Sequence, residues 1–363
     1  MKIRNLNLVN FRNYSKLNVN FHPELNVIIG NNGQGKTNLL ESIYLLSTTR
    51  SFRLTKDYYL IKENSKYAVI EATIKTAINN NLKIVIYDKG KSLFVANNQI
   101  NKNSEFIGIL NAVLFSPGDI EIFNNSPASR RKFLNVEIGK LSKNYMGNLN
   151  NYHKLLKDRN ILLKANTIDE VLIATLNQQM VFEQIEIIKQ RKLLLDFINE
   201  KINKYYNFLA NSKDIIKIVY SSCIKDYNNI KLELEKMYLN NFPKDKLYHF
   251  TLNGIHKDDL IFYFNNQILN NYASQGQKRM VLLAYKFALA EFIKKMTNET
   301  PILLLDDVLS ELDTKVRERL FKLMNKDMQV FITTTDLNNL NIKKQFNLFQ
   351  IDNGILERLN YDR

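Results

Sequence analysis

The sequence predicts an α/β protein, a phosphate-loop core assembled from both ends of the chain, with an antiparallel β region and a largely helical insertion. Three observations predict it. The apolar stretch LNVIIG at 25–30 runs into GNNGQGKT at 30–37 and then into a helical pattern. Strand, glycine-rich turn and helix in that order expose backbone N–H groups at a helix start, where a phosphate is favoured. A second compact apolar strand, PILLLDD at 301–307, ends in two carboxylates, and its Asp306 lies 270 residues after Lys36. Between them, from 121 to 245, Gly and Pro are scarce and the apolar spacing is helical.

The elements follow in order. Residues 1–30 read as a hairpin or meander leading to the buried strand, and Leu39, Leu40, Ile43 and Leu46 give the helix behind the loop. Segments 67–76, 82–88 and 92–96 alternate as antiparallel strands joined by Asn-rich and Lys-Gly turns. Long helices are expected over 128–165, 167–209 and 225–238, and sheet again over 249–264. A helix over 275–296, the strand PILLLDD, a helix over 313–325, the strand QVFITTT and a final hairpin, FNLFQIDNGILERL, complete the chain. The expected domains are 1–120 and 246–363 as two parts of one core, with 121–245 as the inserted helical domain.

Composition bounds the function. The 363 residues fit about two domains, and 45% hydrophobic content supports a sizeable core. A single cysteine, Cys223, and four scattered histidines (His22, His153, His249, His256) exclude a disulfide scaffold and a cysteine-rich metal site. With no signal peptide and no apolar run near 18 residues, a cytoplasmic, nucleoid-associated protein without a membrane partner is expected. Lys plus Arg number 51 against 36 Asp plus Glu, a net +15 that suggests a polyanion. The basic excess is 38 Lys and only 13 Arg amid many Asn and Ile, which AT-rich coding also produces.

The loop Gly30, Asn31, Asn32, Gly33, Gln34, Gly35, Lys36, Thr37, continued by Asn38, is the candidate nucleotide cradle. Gly33 and Gly35 allow the tight turn, Lys36 should reach the β- and γ-phosphates, and the Thr37 hydroxyl should ligate Mg²⁺. Asp306 fits the metal-side carboxylate, and Asp307 is placed to polarise an attacking water; the bland alternative makes both capping or turn residues. An aspartate is shorter than a glutamate at that place, so slow hydrolysis is expected. Ser274 heads a helix, Ser310-Glu311-Leu312-Asp313 follows the second strand, and Thr333 to Thr335 end the third, near where a γ-phosphate sensor would sit. Each alone reads equally as a cap or a polar strand end.

Together with LNLVNFRNY (6–14), VLFSPGDIEIFNNSPASRRKFLN (113–135), YHKLLKDRNILLK (152–164), GIHKDDL (254–260), SQGQKR (274–279) and LLLDDVLSELD (303–313), these motifs span nearly the whole chain. In that order they resemble the ABC-type ATPase heads of SMC-like DNA repair proteins, the RecF family. The resemblance implies a slow ATPase with ATP and Mg²⁺ as cofactors, closing as a homodimer on double-stranded, gapped or junction DNA. It also implies RecO and RecR as partners in loading RecA. Ser274, Gly276 and Gln277 match the signature that caps the other subunit's nucleotide, with Gln275 in place of a glycine. Asp307 matches the catalytic carboxylate, Ser310 and Asp313 the interface loop, and Thr335 the switch position usually held by histidine. Arg12 matches an N-terminal basic residue near nucleotide; its alternative is a solvated turn arginine.

One departure stands out: 113–121 lacks the glutamine that lines the metal site in ABC ATPases, leaving Ser116 or Asp119 in its place. The insertion is too short for an SMC coiled coil, so an arm-like helical domain is expected. Arg50, Arg53 and Lys56, and Arg130, Arg131 and Lys132, are the candidate DNA contacts, with a solvated charged face as the alternative for each cluster. Two other classes compete: an ABC-type ATPase of transport or translation, and a structural DNA-binding protein with little turnover.

Overall fold

The computed structural model describes residues 1–76, 80–336 and 345–360. The chain opens with the hairpin β1 (Lys2–Phe11) and β2 (Tyr14–Asn20), then strand β3 (Leu25–Ile29) and helix α1 (Lys36–Thr48). Strands β4 (Tyr67–Lys75), β5 (Asn80–Tyr87), β6 (Gly90–Val95) and β7 (Asn98–Ile100), a short α2 (Asn103–Phe106) and β8 (Ala112–Phe115) follow. Next come α3 (Pro127–Gly139), α4 (Lys143–Leu162), α5 (Glu170–Ala210), β9 (Ile216–Ser221), α6 (Ile230–Tyr248), β10 (Asp259–Phe264), β11 (Gln267–Ile268) and α7 (Leu269–Tyr272). The last part is α8 (Gln275–Thr297), β12 (Ile302–Asp306), α9 (Thr314–Leu323), β13 (Val330–Thr334) and the hairpin β14 (Asn347–Asp352) and β15 (Ile355–Leu359).

Two compact units result. The first comprises Met1–Ile120, Lys204–Lys213 and Gln275–Arg363; the second comprises Glu121–Asn203 and Asp214–Ser274. The expected boundary between 245 and 246 therefore falls inside the second unit. The reason is strand pairing: β10 joins β9 in antiparallel register, Asp259 opposite Ser221 through Phe264 opposite Ile216, which keeps 246–274 with the insertion.

The first unit holds two six-stranded sheets, in the orders β15-β14-β3-β13-β12-β8 and β2-β1-β4-β5-β6-β7. In the first sheet β3, β8, β12, β13 and β14 run parallel, and β15 returns antiparallel to β14. The second sheet is antiparallel throughout. Helix α1 lies between them, touching β8, β12 and β13 on one side and β5 on the other. Both of its faces are consequently apolar: Leu39, Leu40, Ile43 and Leu46 are fully buried in one cluster with Ile28, Ile70, Ile84, Leu304 and Phe331. Burial of such side chains is worth roughly 1.5–3 kcal/mol each, which fixes the helix behind the glycine-rich turn.

In the second unit the expected helix over 128–165 is two helices. Gly139 ends α3 where an added Cβ would stand 2.6 Å from Met146 Sδ, and the Ser142 hydroxyl caps α4 by accepting from Tyr145 N–H at 3.1 Å. Sheet structure expected over 249–264 is confined to β10, and β9 is a strand the sequence pattern did not disclose. The free edge of β9 is covered by side chains. Asn199 and Asn203, one turn apart on α5, each donate to and accept from the backbone of a single β9 residue, Ile218 and Ile216 respectively, at 2.7–2.9 Å. Two amides thus take the place of a neighbouring strand.

Candidate functional site

Parallel strands carry their functional groups at their carboxyl ends. The register sets Asp306 opposite Thr333 and Thr334 opposite Ile29, so β12, β13 and the loop after β3 present their ends at one edge. There the Thr37 hydroxyl donates to Asp306 Oδ1 at 2.9 Å, and the Thr333 hydroxyl donates to the same oxygen at 2.9 Å. Thr333 Oγ1 also accepts the backbone N–H of Asp307 at 2.9 Å. Burial pushes the Asp306 carboxyl above the usual range, against the two hydroxyl bonds that favour its ionised form.

Lys36 is buried and its ammonium donates to Gly30 O at 2.5 Å and Asn31 O at 3.0 Å. Burial lowers its pKa; the nearby charges of Asp307 and Asp306 oppose that shift. Asp307 adopts a left-handed backbone (φ 51°, ψ 22°), a conformation that costs a non-glycine residue on the order of 1 kcal/mol. Its Oδ1 is buried without a hydrogen-bond partner.

The loop is braced from both ends of the chain. Asn13 Nδ2 donates to Gln34 O at 2.7 Å while its Oδ1 accepts from Asn38 at 2.9 Å, and Tyr14 OH donates to Gly35 O at 2.9 Å. Asn353 N–H donates to Gln34 Oε1 at 2.5 Å and Gly354 N–H to Gln34 O at 3.2 Å. Gly35 has φ +120°, and a Cβ there would meet Asn13 Nδ2 at 2.6 Å, so no other residue fits the turn. Asn13 is a positioning residue that motif reading left without a role, and Thr333, one of the three hydroxyls expected at the strand end, is the one that bonds Asp306. Asn13 sits inside the quoted opening motif, and Thr333 directly opposite Asp306.

The remaining expected residues are distributed as follows. Asn31, Asn32 and Gly33 are exposed at the loop tip. Arg12 is partly buried, and its guanidinium makes a two-point ion pair with fully buried Glu41 of α1, at 2.9 and 3.1 Å, and reaches Tyr59 O at 3.3 Å. Ser274 and Gly276 are exposed at the start of α8, Gln277 is half-buried, and Thr335 is exposed just past β13. Ser310 donates to Asp307 O at 2.7 Å, and Asp313 caps α9 by accepting from Val316 N–H at 2.9 Å. Asp119 is taken up by an ion pair to buried Lys286 at 3.0 Å and by Ser116 N–H at 3.1 Å, whereas Ser116 follows β8 level with Asp306.

Among the basic candidates, Arg50, Lys56 and Lys132 are exposed. Arg53 is exposed too, but its guanidinium donates to Asn38 Oδ1 at 3.1 Å and its charge favours ionised Asp306, so it belongs to the phosphate-loop neighbourhood. Arg130 is held by Asp259 at 2.6 and 2.8 Å, and Arg131 donates to Asp258 O at 2.7 Å. Both are internal ties of the second unit, which leaves Lys132 as the solvent-facing member of that cluster. Among the described residues no helix is long and apolar enough to cross a membrane.

The donor set fits a magnesium nucleotide. A hydroxyl and a buried carboxylate in contact, Thr37 and Asp306, form the hard oxygen pair that Mg²⁺ takes from protein, with phosphate and water supplying the rest.

The chain is similar to known proteins over nearly its whole length. A sequence profile of the family described as "RecF/RecN/SMC N terminal domain" matches residues 2–357. A protein of Clostridium tetani named "DNA replication and repair protein RecF" is 40% identical over 365 residues, covering 98% of this chain and 99% of that protein. A Streptococcus agalactiae protein of the same name is 35% identical over 361 residues, covering 98% of each. The solved structure described as "Structure of the recombination mediator protein RecF-ATP in RecFOR pathway" superposes with TM-score 0.90 at 32% identity, covering 99% of this chain and 98% of that one. An Smc head domain from Pyrococcus furiosus, at 17% identity and TM-score 0.58, shares the fold. The chain belongs to the RecF/SMC family, and its architecture is that family's phosphate-loop ATPase head with an antiparallel β subdomain and an inserted helical unit.

Proposed function

We propose that the protein is an ATP-dependent DNA-binding ATPase of recombinational repair and replication-fork maintenance. ATP closes a homodimer on duplex, gapped or junction DNA, and slow hydrolysis reopens it. The observation that carries this reading is the cluster at the strand ends: Thr37 and Thr333 both bond Asp306, Thr333 also holds the Asp307 N–H, and the buried Lys36 folds over the same loop onto Gly30 O and Asn31 O. The names of the relatives support the repair role, and the RecFOR description of a structural neighbour supports RecO and RecR as partners.

The chemistry follows from the residues. Backbone N–H groups of the loop and the start of α1 hold the phosphates, and Lys36 turns from Gly30 O and Asn31 O to a phosphate oxygen. Thr37 and Asp306 would hold Mg²⁺, whose charge would be set against the β- and γ-phosphate oxygens when bound. Asp307, with its unpartnered Oδ1, orients the attacking water. Arg53, beside Asn38, adds positive charge at the phosphate end. Ser274 and Gly276, exposed at the start of α8, cap the nucleotide of a second subunit, so ATP binding stabilises the dimer by mass action.

Mixing variants tests the shared site. Lys36→Arg and Ser274→Arg are each expected to abolish turnover alone. Combined, they rebuild one intact site per heterodimer and recover up to about half of the wild-type rate per dimer, as linkage between subunits requires. No recovery in a mixture shown to form heterodimers contradicts a signature acting across the interface.

A further inference from the structure

We infer that a tyrosine platform on the antiparallel sheet binds single-stranded nucleic acid by base stacking. It is read within the DNA-binding function proposed above, as the place for the unpaired strand of a gapped or tailed duplex. Four tyrosines are exposed there: Tyr58 by 38%, Tyr59 by 53%, Tyr67 by 44% and Tyr87 by 45%. Tyr67 and Tyr87 are cross-strand partners of β4 and β5, on the face opposite buried Ala68 and Ile86. Tyr58 and Tyr59 lie with ring centroids 4.0 Å apart on the turn Asp57–Leu60, which packs against β5. One open depression is lined by Tyr58, Lys62, Lys66 and Asp88, the last two being chain neighbours of Tyr67 and Tyr87.

The charges suit a phosphate backbone running past the rings. Lys56 lies 5.9 Å from the Tyr58 ring centroid, Lys62 and Lys66 line the same depression, and Lys89 is exposed two residues after Tyr87. Among the described residues none of these four lysines is in an ion pair, and against them stand Glu63 and Asp88. Asp57 is already neutralised by Lys91 at 2.7 Å. Lysine spaced between exposed aromatic rings is the arrangement that grips a single strand without reading its sequence.

The backbone beneath is fixed rather than loose. Leu60 is fully buried, Arg12 N–H donates to Leu60 O at 2.8 Å, and Lys62 N–H donates to Asn10 O at 2.8 Å. Lys91 reaches Thr49 O as well as Asp57, clamping the turn to β6. The rings are therefore held out in position before any ligand arrives, which lowers the ordering cost of binding.

Fluorescence anisotropy with a labelled oligo-dT strand and, separately, a labelled blunt duplex tests the platform in the full-length protein. Tyr58→Ala with Tyr59→Ala is expected to weaken oligo-dT binding roughly tenfold or more, whereas Tyr58→Phe with Tyr59→Phe retains it. The alanine variant should keep the wild-type salt slope, while Lys62→Gln with Lys66→Gln should flatten it by about one unit per lysine. Oligo-dT affinity equal in wild type and alanine variant overturns the platform, as does a wild type that does not bind oligo-dT. Duplex binding with ATP reports on the parent reading separately: its failure beside a tyrosine-dependent oligo-dT affinity leaves the platform standing and removes the duplex clamp.

Discussion

At the scale of single residues, His256 shows how a buried polar motif converts into a pH dependence. Its Nδ1 accepts from Tyr152 OH at 2.6 Å and its Nε2–H donates to Thr251 O at 3.0 Å, partners that suit the neutral ring in one tautomer. Gly254 makes room for this contact, since a Cβ there would lie 2.6 Å from Tyr152 OH. Burial lowers the His256 pKa to about 4. The unfolded chain, with a histidine near 6.5, therefore takes up a proton first, and stability falls as pH drops from that value to about 4. Asp258 and Asp306, whose carboxyls are raised by burial, work in the opposite direction and are relieved by acid. Comparing wild type with His256→Asn by urea unfolding isolates the histidine. Between pH 7.5 and pH 5 the wild type should lose about 2 kcal/mol more than the variant, and equal losses contradict the assignment. Cys223, the residue for which the sequence offered no role, is half-buried with its thiol pushed up to about 12, which makes it a packing residue rather than a reactive one.

At the scale of elements, local motifs and distant pairings differ in how far they can be read. The strand before the phosphate loop, α1 and the carboxylate-ended β12 are each specified by contiguous residues, and each stands where the sequence puts it. β9 was hidden because its edge partners are two asparagines on α5, which look like ordinary polar residues of a helix surface. The basic run at 130–132 misled for a related reason: the Arg130 partner, Asp259, is 129 residues away, so an internal tie looked like a solvent-facing cluster. Arg12 likewise found a fully buried glutamate on α1. The asparagine edge is open to direct test. Asn199→Ala and Asn203→Ala each leave a β9 N–H and C=O unpaired beside buried Ile218 and Ile216, at a cost of about 1–3 kcal/mol per site. Hydrogen exchange should show lost protection at the Ile216 and Ile218 amides. Unchanged protection and unchanged melting would mean the amides add nothing to the strand.

For the whole molecule, topology explains why a site needs residues from both chain ends. Strand order β14-β3-β13-β12-β8 interleaves the N-terminal β3 and β8 with C-terminal strands, bringing Thr37 and Asp306 within 2.9 Å across 269 residues of sequence. The helical unit is inserted between β8 and β12 without interrupting the parallel sheet. The basic excess of +15 is the weakest of the sequence signals, because several arginines are internal ties. The coupling of self-association to DNA binding by ATP, proposed above, is read out by light scattering with parallel duplex-binding measurements. With ATP the protein should be a dimer that binds duplex DNA more tightly; with ADP or no nucleotide it should be largely monomeric and bind weakly. The same mass and the same DNA affinity in all three nucleotide states would contradict the account.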